Sequence, residues 1–416
     1  MDGLIRSLCR VCLIPTTAIM LWSGGFAISP QAAENPGERG PCAIASQVVE
    51  VGGAVETHMY YPADEQCTAG LAAPYPGVAF AHGFSMFGLT NGAEDNAGHG
   101  EHLASWGYVV AIPVLPDEVE GRIANLEDVL SYLEAATGEP SSFLYDLVEV
   151  DRLGVVGHSF GGASVLALAA TDPRVDAVVA LDPVYHQGGP GAEPEIWDHD
   201  VEGPMIAAPT TILGGPSSDC NSASDYAEIS PFIGSAHKAQ YFFSGASHCD
   251  CSAPGNDLCY LVCGGSDDQS DLRTQLVQKY MTAWLNYYLQ YDTDSFDYLY
   301  GQEANSDITS GLIERQVDTA PRDVYASGRA EAVLLEWTPY DHPMISGYYA
   351  YRRRAGEEYP DVPQIEAGLT GNHEDEGLAV GETYYYVLCS HDEVGQEHQR
   401  SPEVGAATFA DLSERL

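Results

Sequence analysis

Gly157-His158-Ser159-Phe160-Gly161-Gly162 stands between Leu153-Gly154-Val155-Val156, an apolar run of the kind a fully buried strand shows, and Ala163-Ser164-Val165-Leu166-Ala167-Leu168-Ala169-Ala170, a small-residue helix closed by Thr171-Asp172-Pro173. A strand, a G-x-S-x-G turn and a helix make a nucleophile elbow. The glycines are needed because the turn is so tight that side chains there would clash, and the turn lifts the Ser159 hydroxyl above the sheet edge. The helix that follows aims its N-terminal N–H groups at the point where an oxyanion would develop. A glycine-rich turn without chemistry is the plainer alternative. The strand before it and the helix after it weigh against that.

A serine alone is a weak nucleophile, so a base and an orienting acid are needed. Tyr241-Phe242-Phe243-Ser244-Gly245-Ala246-Ser247-His248 reads as a strand running into a turn that presents His248, followed by an amphipathic segment from Leu272 to Leu289. This is where the chain order serine, acid, histidine expects the base. His237 is the nearest rival, but it precedes the strand and would lie at the wrong end of the sheet. Two aspartates compete for the acid. Asp182 ends the buried run Val178-Val179-Ala180-Leu181, whereas Asp219 lies in the Pro-Ser-Ser loop beyond Thr210-Thr211-Ile212-Leu213-Gly214-Gly215. Both would sit at the carboxyl edge of the sheet, where ligands gather in open α/β folds. Asp182 is the better fixed and is preferred; Asp219 is the alternative acid. Val78-Ala79-Phe80-Ala81 running into His82-Gly83-Phe84 supplies the second backbone donor, so the oxyanion hole is expected from the N–H groups of Phe84 and Phe160, with His82 shaping the loop.

Through these pieces the chain resembles an α/β-hydrolase, closest to the group of plasma-type platelet-activating-factor acetylhydrolases, chlorophyllases and bacterial polyester hydrolases of the cutinase type. The matching pieces are His82-Gly83-Phe84, His102-Leu103-Ala104-Ser105-Trp106-Gly107-Tyr108-Val109-Val110, Asp151-Arg152-Leu153-Gly154-Val155-Val156 with the elbow, and Ala180-Leu181-Asp182-Pro183, spread over residues 45–290. The resemblance implies a doubly wound, mostly parallel sheet, carboxylic ester hydrolysis through an acyl-enzyme, and no cofactor. In the acetylhydrolases and chlorophyllases the acid sits at the Leu-Asp strand end, as Asp182 does; in the polyester hydrolases it follows the next strand, which points to Asp219. Polyester hydrolases carry an aromatic directly before the nucleophile; His158 stands there, which counts against polymer hydrolysis.

Residues 1–33 carry Arg6 and Arg10, an apolar core from Val11 to Ile28 and small residues around Ala27 and Gln31-Ala32-Ala33, and read as a secretory signal peptide rather than a retained anchor. Export changes how the cysteines read. Beyond the leader remain Cys42, Cys67, Cys220, Cys249, Cys251, Cys259, Cys263 and Cys389, an even set that suggests disulfides. Cys42 with Cys67 is a plausible local bridge, the cluster from Cys220 to Cys263 could brace the loop carrying His248, and Cys389 could be free. A zinc site from Cys249, Cys251, Cys259 and Cys263 is the lesser alternative, because the spacing is not the paired C-x₂-C. His99 and His102 at helical spacing could likewise hold a metal, but capping of the first helix explains that stretch; no metal is expected.

The charge balance is extreme, 61 acidic against 17 basic residues and a formal net charge of −44. The acids are scattered, which describes a solvated folded surface tolerable where salt screens it. Nucleic acid, anionic membranes and polyanionic substrates are poor partners for this surface, and an uncharged small or polymeric ester fits. Phe84, Met86 and Phe87 suggest an apolar acyl or aryl pocket.

The organisation expected is a leader at 1–33, a catalytic domain at 40–290, a linker at 291–319 and a small all-β sandwich at 320–411. The last is expected from strand-like runs around Trp337, Tyr348 to Arg353, Tyr384 to Leu388 and Ala406 to Phe409. It resembles a fibronectin type III domain, with Trp337 in the core and Tyr384 or Tyr386 in a corner position. Tyr348 and Tyr351 could contact a surface or polymer, though packed strands explain them better. The expectation is a secreted, monomeric serine esterase. A cutinase-like polyester hydrolase, an amidase or peptidase on the same triad, and a non-catalytic surface-binding protein on a hydrolase scaffold are its rivals.

Overall fold

The computed structural model describes residues 35–410, apart from positions 54, 66, 68–70, 86–90, 119–120, 186–195, 217, 222–228, 255–256, 266, 318, 394 and 396. The leader expected at 1–33 and the pocket residues Met86 and Phe87 lie outside the described residues.

Nine strands form the main sheet: β1 (Ile44–Val51), β2 (Val55–Pro62), β3 (Tyr75–Ala81), β4 (Val109–Pro113), β5 (Val148–His158), β6 (Val175–Leu181), β7 (Thr210–Gly214), β8 (Lys238–Phe243) and β9 (Ile313–Gln316). Their spatial order is β1-β2-β4-β3-β5-β6-β7-β8-β9. Pairings from β4 across to β8 are parallel, while β1–β2, β2–β4 and β8–β9 are antiparallel. The helices are α1 (Ala97–Ser105), α2 (Arg122–Thr137), α3 (Phe160–Thr171), α4 (Asp257–Cys263), α5 (Ser270–Leu289), α6 (Ser295–Leu299) and α7 (Gln302–Thr309).

β3, β4 and β7 are buried at every position, because helices cover both faces. Alternate side chains then serve opposite cores. Ala79, Ala81 and Val155 pack with Leu126, Leu130 and Leu133 of α2 and with α3, whereas Val78, Phe80 and Val156 pack with Leu103 of α1 and Val277, Tyr280 and Trp284 of α5. α3 is buried from Phe160 to Ala170, and its alanines and glycines are what permit a helix to lie that deep.

The stretch 291–319 is not the linker expected. It holds α6, α7 and β9, and β9 pairs with β8 to extend the sheet, with Ile313 1% exposed in the core. Ile313-Glu314-Arg315-Gln316 carries one apolar residue, so its strand character comes from edge pairing and not from its own pattern.

The C-terminal region is built of antiparallel sheets. Its strands are β10 (Arg322–Arg329), β11 (Ala332–Thr338), β12 (Gly347–Arg354), β13 (Ile365–Ala367), β14 (Asn372–Glu376), β15 (Thr383–His391), β16 (Glu397–Arg400) and β17 (Val404–Ala407). One sheet runs β10-β11-β14 and the other β13-β12-β15-β16, with β17 also on β15. Trp337 packs edge-on against Tyr348 at 5.3 Å, and the Tyr384 hydroxyl accepts the Ala379 N–H at 3.1 Å, five residues upstream. Tyr348 and Tyr351 are both fully buried, so neither offers a contact surface. Met344 joins the core of the main sheet and the His342 ring lies 5.0 Å from Tyr300, the residue that follows α6.

Disulfides join Cys42 to Cys67, Cys220 to Cys263 and Cys249 to Cys259, and the thiols of Cys251 and Cys389 are buried and free. Cys249, Cys259 and Cys263, considered for zinc, are thus spent in bridges. Among the described residues no helix is long and apolar enough to cross a membrane.

Candidate active site

Ser159 joins β5 to α3 with φ 58° and ψ −126°, a conformation that costs a non-glycine residue strain and is found where a function requires it. Its N–H donates to the Leu181 carbonyl at 2.9 Å, and its own carbonyl accepts Gly162 at 2.8 Å and Val184 at 3.0 Å. The two elbow glycines are forced by space. A side chain at Gly157 would come within 2.2 Å of the Gly161 oxygen, and one at Gly161 within 2.0 Å of the Ala81 oxygen. The serine stays half-exposed above a buried sheet end.

Asp182, at the end of β6, is 1% exposed and also takes a positive φ, 39°. Its N–H donates to the Leu213 carbonyl at 2.6 Å, tying it to β7. His248 Nδ1 donates to Asp182 Oδ2 at 2.5 Å, so the imidazole is oriented by a buried carboxylate. No hydrogen bond joins His248 to Ser159 among the described residues; Nε2 is the ring nitrogen left for it. The loop carrying His248 is held from three sides. Asp250, fully buried, accepts the Ser247 N–H at 2.7 Å in a capping box and the Tyr260 hydroxyl at 2.9 Å. His158 Nε2 donates to the His248 carbonyl at 3.0 Å, with the two rings 4.7 Å apart. The Cys249–Cys259 bridge pins the next residue to α4. Burial, then the neighbouring His248, pulls the His158 pKa well below its ordinary value, so His158 is a neutral donor.

The loop expected to carry the Phe84 donor abuts the serine: a side chain at Gly83 would stand 2.8 Å from Ser159 Cβ and 3.3 Å from its Oγ. Phe84 follows it, and Phe160 opens α3, where the first N–H groups have no acceptor within the helix. His82 has the structural place expected of it, with Nδ1 on the Gly83 carbonyl at 2.7 Å and Nε2 accepting the Leu115 N–H at 2.8 Å. Burial, then the Arg122 charge, lowers it to about 4. Arg122 is fully buried, and it donates to the carbonyls of His82 and Pro116, both at 2.5 Å, and to Ser164 Oγ at 3.1 Å.

The other residues considered go elsewhere. Asp219 is exposed and makes no hydrogen bond to His248 among the described residues. His237 packs on Tyr288 and His342 before β8. His99 Nε2 meets the Cys251 carbonyl at 3.1 Å, and His102 Nε2 meets the Pro36 carbonyl at 2.9 Å and Thr282 Oγ1 at 3.0 Å, so these two share no ligand. Sequence reading does not single out Asn221, Asp250 or Arg122. Ser247-x-x-Asp250 carries the spacing of a capping box and could have been noticed, whereas the other two have no local signal.

The PET hydrolase-like family model matches residues 26–320, more than half of the chain. This chain belongs to the PET hydrolase-like family. It is 25% identical over 280 residues to the bis(hydroxyethyl) terephthalate hydrolase of Streptomyces coelicolor, covering 63% of this chain and 76% of that one. It is 25% identical over 287 residues to cutinase 2 of Thermobifida cellulosilytica, covering 67% and 86%, and to cutinase cut1 of Thermobifida fusca, covering 67% and 70%. Resemblance to polyester hydrolases pointed to the loop after β7 for the acid. In this PET hydrolase-like chain the imidazole meets Asp182 instead.

Proposed function

We propose that the protein is an exported serine hydrolase of uncharged carboxylic esters, polyesters among them, in which Ser159, His248 and Asp182 form the catalytic triad. The observation that carries this reading is the strained Ser159 elbow together with an imidazole that is hydrogen-bonded to a buried carboxylate and held, through its backbone carbonyl, by the ring of His158 beside the serine. Ser159 Oγ attacks the ester carbonyl while His248 Nε2 takes its proton, and Asp182 stabilises the imidazolium. The tetrahedral oxyanion is held by the N–H groups of Phe84 and Phe160, donors of a kind worth about 3 kcal/mol each. Collapse expels the alcohol, which receives the proton from His248. Water then attacks the acyl-enzyme by the same route, and Ser159 is regenerated. No step calls for a cofactor.

The cutinases and the terephthalate ester hydrolase among the relatives support esters over amides, and three disulfides support export to an oxidising compartment. The C-terminal sheets, with Trp337 in their core and Tyr384 bonded to the backbone upstream, support a fibronectin type III-like module acting as a spacer or surface contact. The test is hydrolysis of p-nitrophenyl butyrate, bis(hydroxyethyl) terephthalate and an amorphous polyester film, with Ser159→Ala alongside. Turnover abolished by Ser159→Ala is expected. Silence of the unmodified protein on all three substrates, in low and molar salt, would overturn the reading.

A further inference from the structure

We infer that Asn221 is a positioning residue, one that fixes the carboxylate of Asp182 and through it the imidazole of His248. The inference rests on the triad proposed above. Asn221 is 3% exposed, and its Nδ2 lies 3.1 Å from Asp182 Oδ1 and 3.4 Å from the Pro183 carbonyl. Both neighbours are acceptors, so the amide nitrogen, and not its oxygen, must face them. Asp182 therefore holds one fixed donor on each oxygen, His248 Nδ1 on Oδ2 and Asn221 Nδ2 on Oδ1. A carboxylate gripped at both ends cannot rotate about its last torsion, and the direction in which it presents Oδ2 to the imidazole is set.

The amide is itself held. The Asn221 N–H donates to the carbonyl and to the Oγ of Ser218, each at 3.2 Å, and its chain neighbour Cys220 is bridged to Cys263 at the end of α4. α4 is also bridged through Cys259 to Cys249, the residue after His248. One short helix thus fixes the loop that holds the acid and the loop that carries the base. Among its described residues the loop after β7 brings no acid to the imidazole, Asp219 being exposed; what it brings is a donor to the carboxylate of Asp182. A neutral amide suits the task, because a cation there would weaken the pull of Asp182 on the imidazolium, and a second carboxylate would repel it.

The test is steady-state kinetics on p-nitrophenyl butyrate for Asn221→Ala and the isosteric Asn221→Asp, each in the unmodified chain and in an Asp182→Ala background. In the unmodified chain kcat should fall about 10–100-fold with KM within about twofold, as for loss of a hydrogen bond to a charged group. In the Asp182→Ala background the same changes should cost less than about twofold, since no carboxylate remains to be positioned. The downfield His248 Nδ1–H proton resonance should move or broaden in both single variants. Asn221→Asp keeps the shape of the site, so it reports even where Asn221→Ala fails to fold. Equal losses in both backgrounds would assign a merely structural role and overturn the inference, as would unchanged kcat. An inactive unmodified protein would instead sink the triad reading. Activity that Ser159→Ala abolishes and the Asn221 variants retain would sink only this inference.

Discussion

Asp182 Oδ2 and His248 Nδ1 meet at 2.5 Å although 66 residues separate them in the chain, and both are almost fully buried. Asp182→Asn keeps the shape but presents an amide to the imidazole and favours the wrong tautomer. We expect kcat on p-nitrophenyl butyrate to fall by about 10⁴, the size such a change has in a serine protease. Asp219→Asn should leave kcat within about twofold. A loss confined to Asp219→Asn would move the acid to the loop after β7.

Arg122 should matter to stability and turnover together. Its guanidinium serves three acceptors, on the loop after β3 at His82, at Pro116 and on α3 at Ser164, and its Cζ lies 4.9 Å from the Phe160 ring centroid. Burial pulls its pKa down to about 10, so it remains charged at neutral pH. Arg122→Met would strand those acceptors at a cost of about 2–4 kcal/mol, and urea unfolding would read it. Arg122→Lys keeps the charge and loses the fork, so kcat should still fall. A stable, fully active Arg122→Met would show the contacts to be dispensable.

Much of this site is legible from sequence because its chemistry is local. Ser159 is announced by its glycines, and Asp182 and His248 by the apolar runs that end at them. β9 is not legible, since Ile313-Glu314-Arg315-Gln316 becomes a strand only by lying beside β8. Asn221 and Arg122 are invisible for a similar reason. Each is one polar residue whose partners, Asp182 in one case and His82 and Ser164 in the other, lie 39 to 42 positions away. The disulfide pairing in the cluster of five cysteines also needed the fold, because spacing alone permits several pairings.

The two bridges of α4 should differ in worth. Cys220–Cys263 closes 43 residues and Cys249–Cys259 closes 10. On chain entropy alone they contribute about 4 and about 3 kcal/mol. Replacing both cysteines of a bridge with serine should therefore lower the urea midpoint more for the longer loop. That variant should also lose more kcat, because Asn221 adjoins Cys220. The reverse order in both readouts would contradict the picture of α4 as a common anchor.

Stability should fall steeply on acidification. Burial, the largest cause in each case, lowers His82, His99 and His102 to about 4. In the unfolded chain they titrate near 6.5, so between these values the unfolded state binds about three more protons. The stabilisation from keeping these rings neutral is complete above about pH 6.5 and is lost as pH falls towards 4. Near pH 5 these three rings alone should contribute a slope approaching about 4 kcal/mol per pH unit, and His158 and His342, which burial holds lower still, should steepen it. Urea titrations at pH 7, 6 and 5 in 1 M NaCl, which screens the carboxylates, would measure it. A flat profile over that window would mean the rings are not buried as neutral groups.

Salt should act in the opposite sense. The chain has two lysines, Lys238 and Lys279, and both are buried, Lys238 Nζ on the Ile233 carbonyl at 2.8 Å and Lys279 Nζ on Asp307 Oδ2 at 2.7 Å. Every exposed cationic side chain, histidine aside, is therefore an arginine, set against 61 acids and a formal net charge of −44. At about 0.1 M salt the Debye length is about 10 Å, so neighbouring carboxylates repel across the surface; at 1 M it is about 3 Å and that repulsion is mostly gone. Tm should rise from 0.1 to 1 M NaCl. Sucrose, which stabilises by exclusion without screening, should not reproduce the steep early part of the rise. A Tm that stays level or drops with NaCl would show that the acidic surface is not held back by self-repulsion.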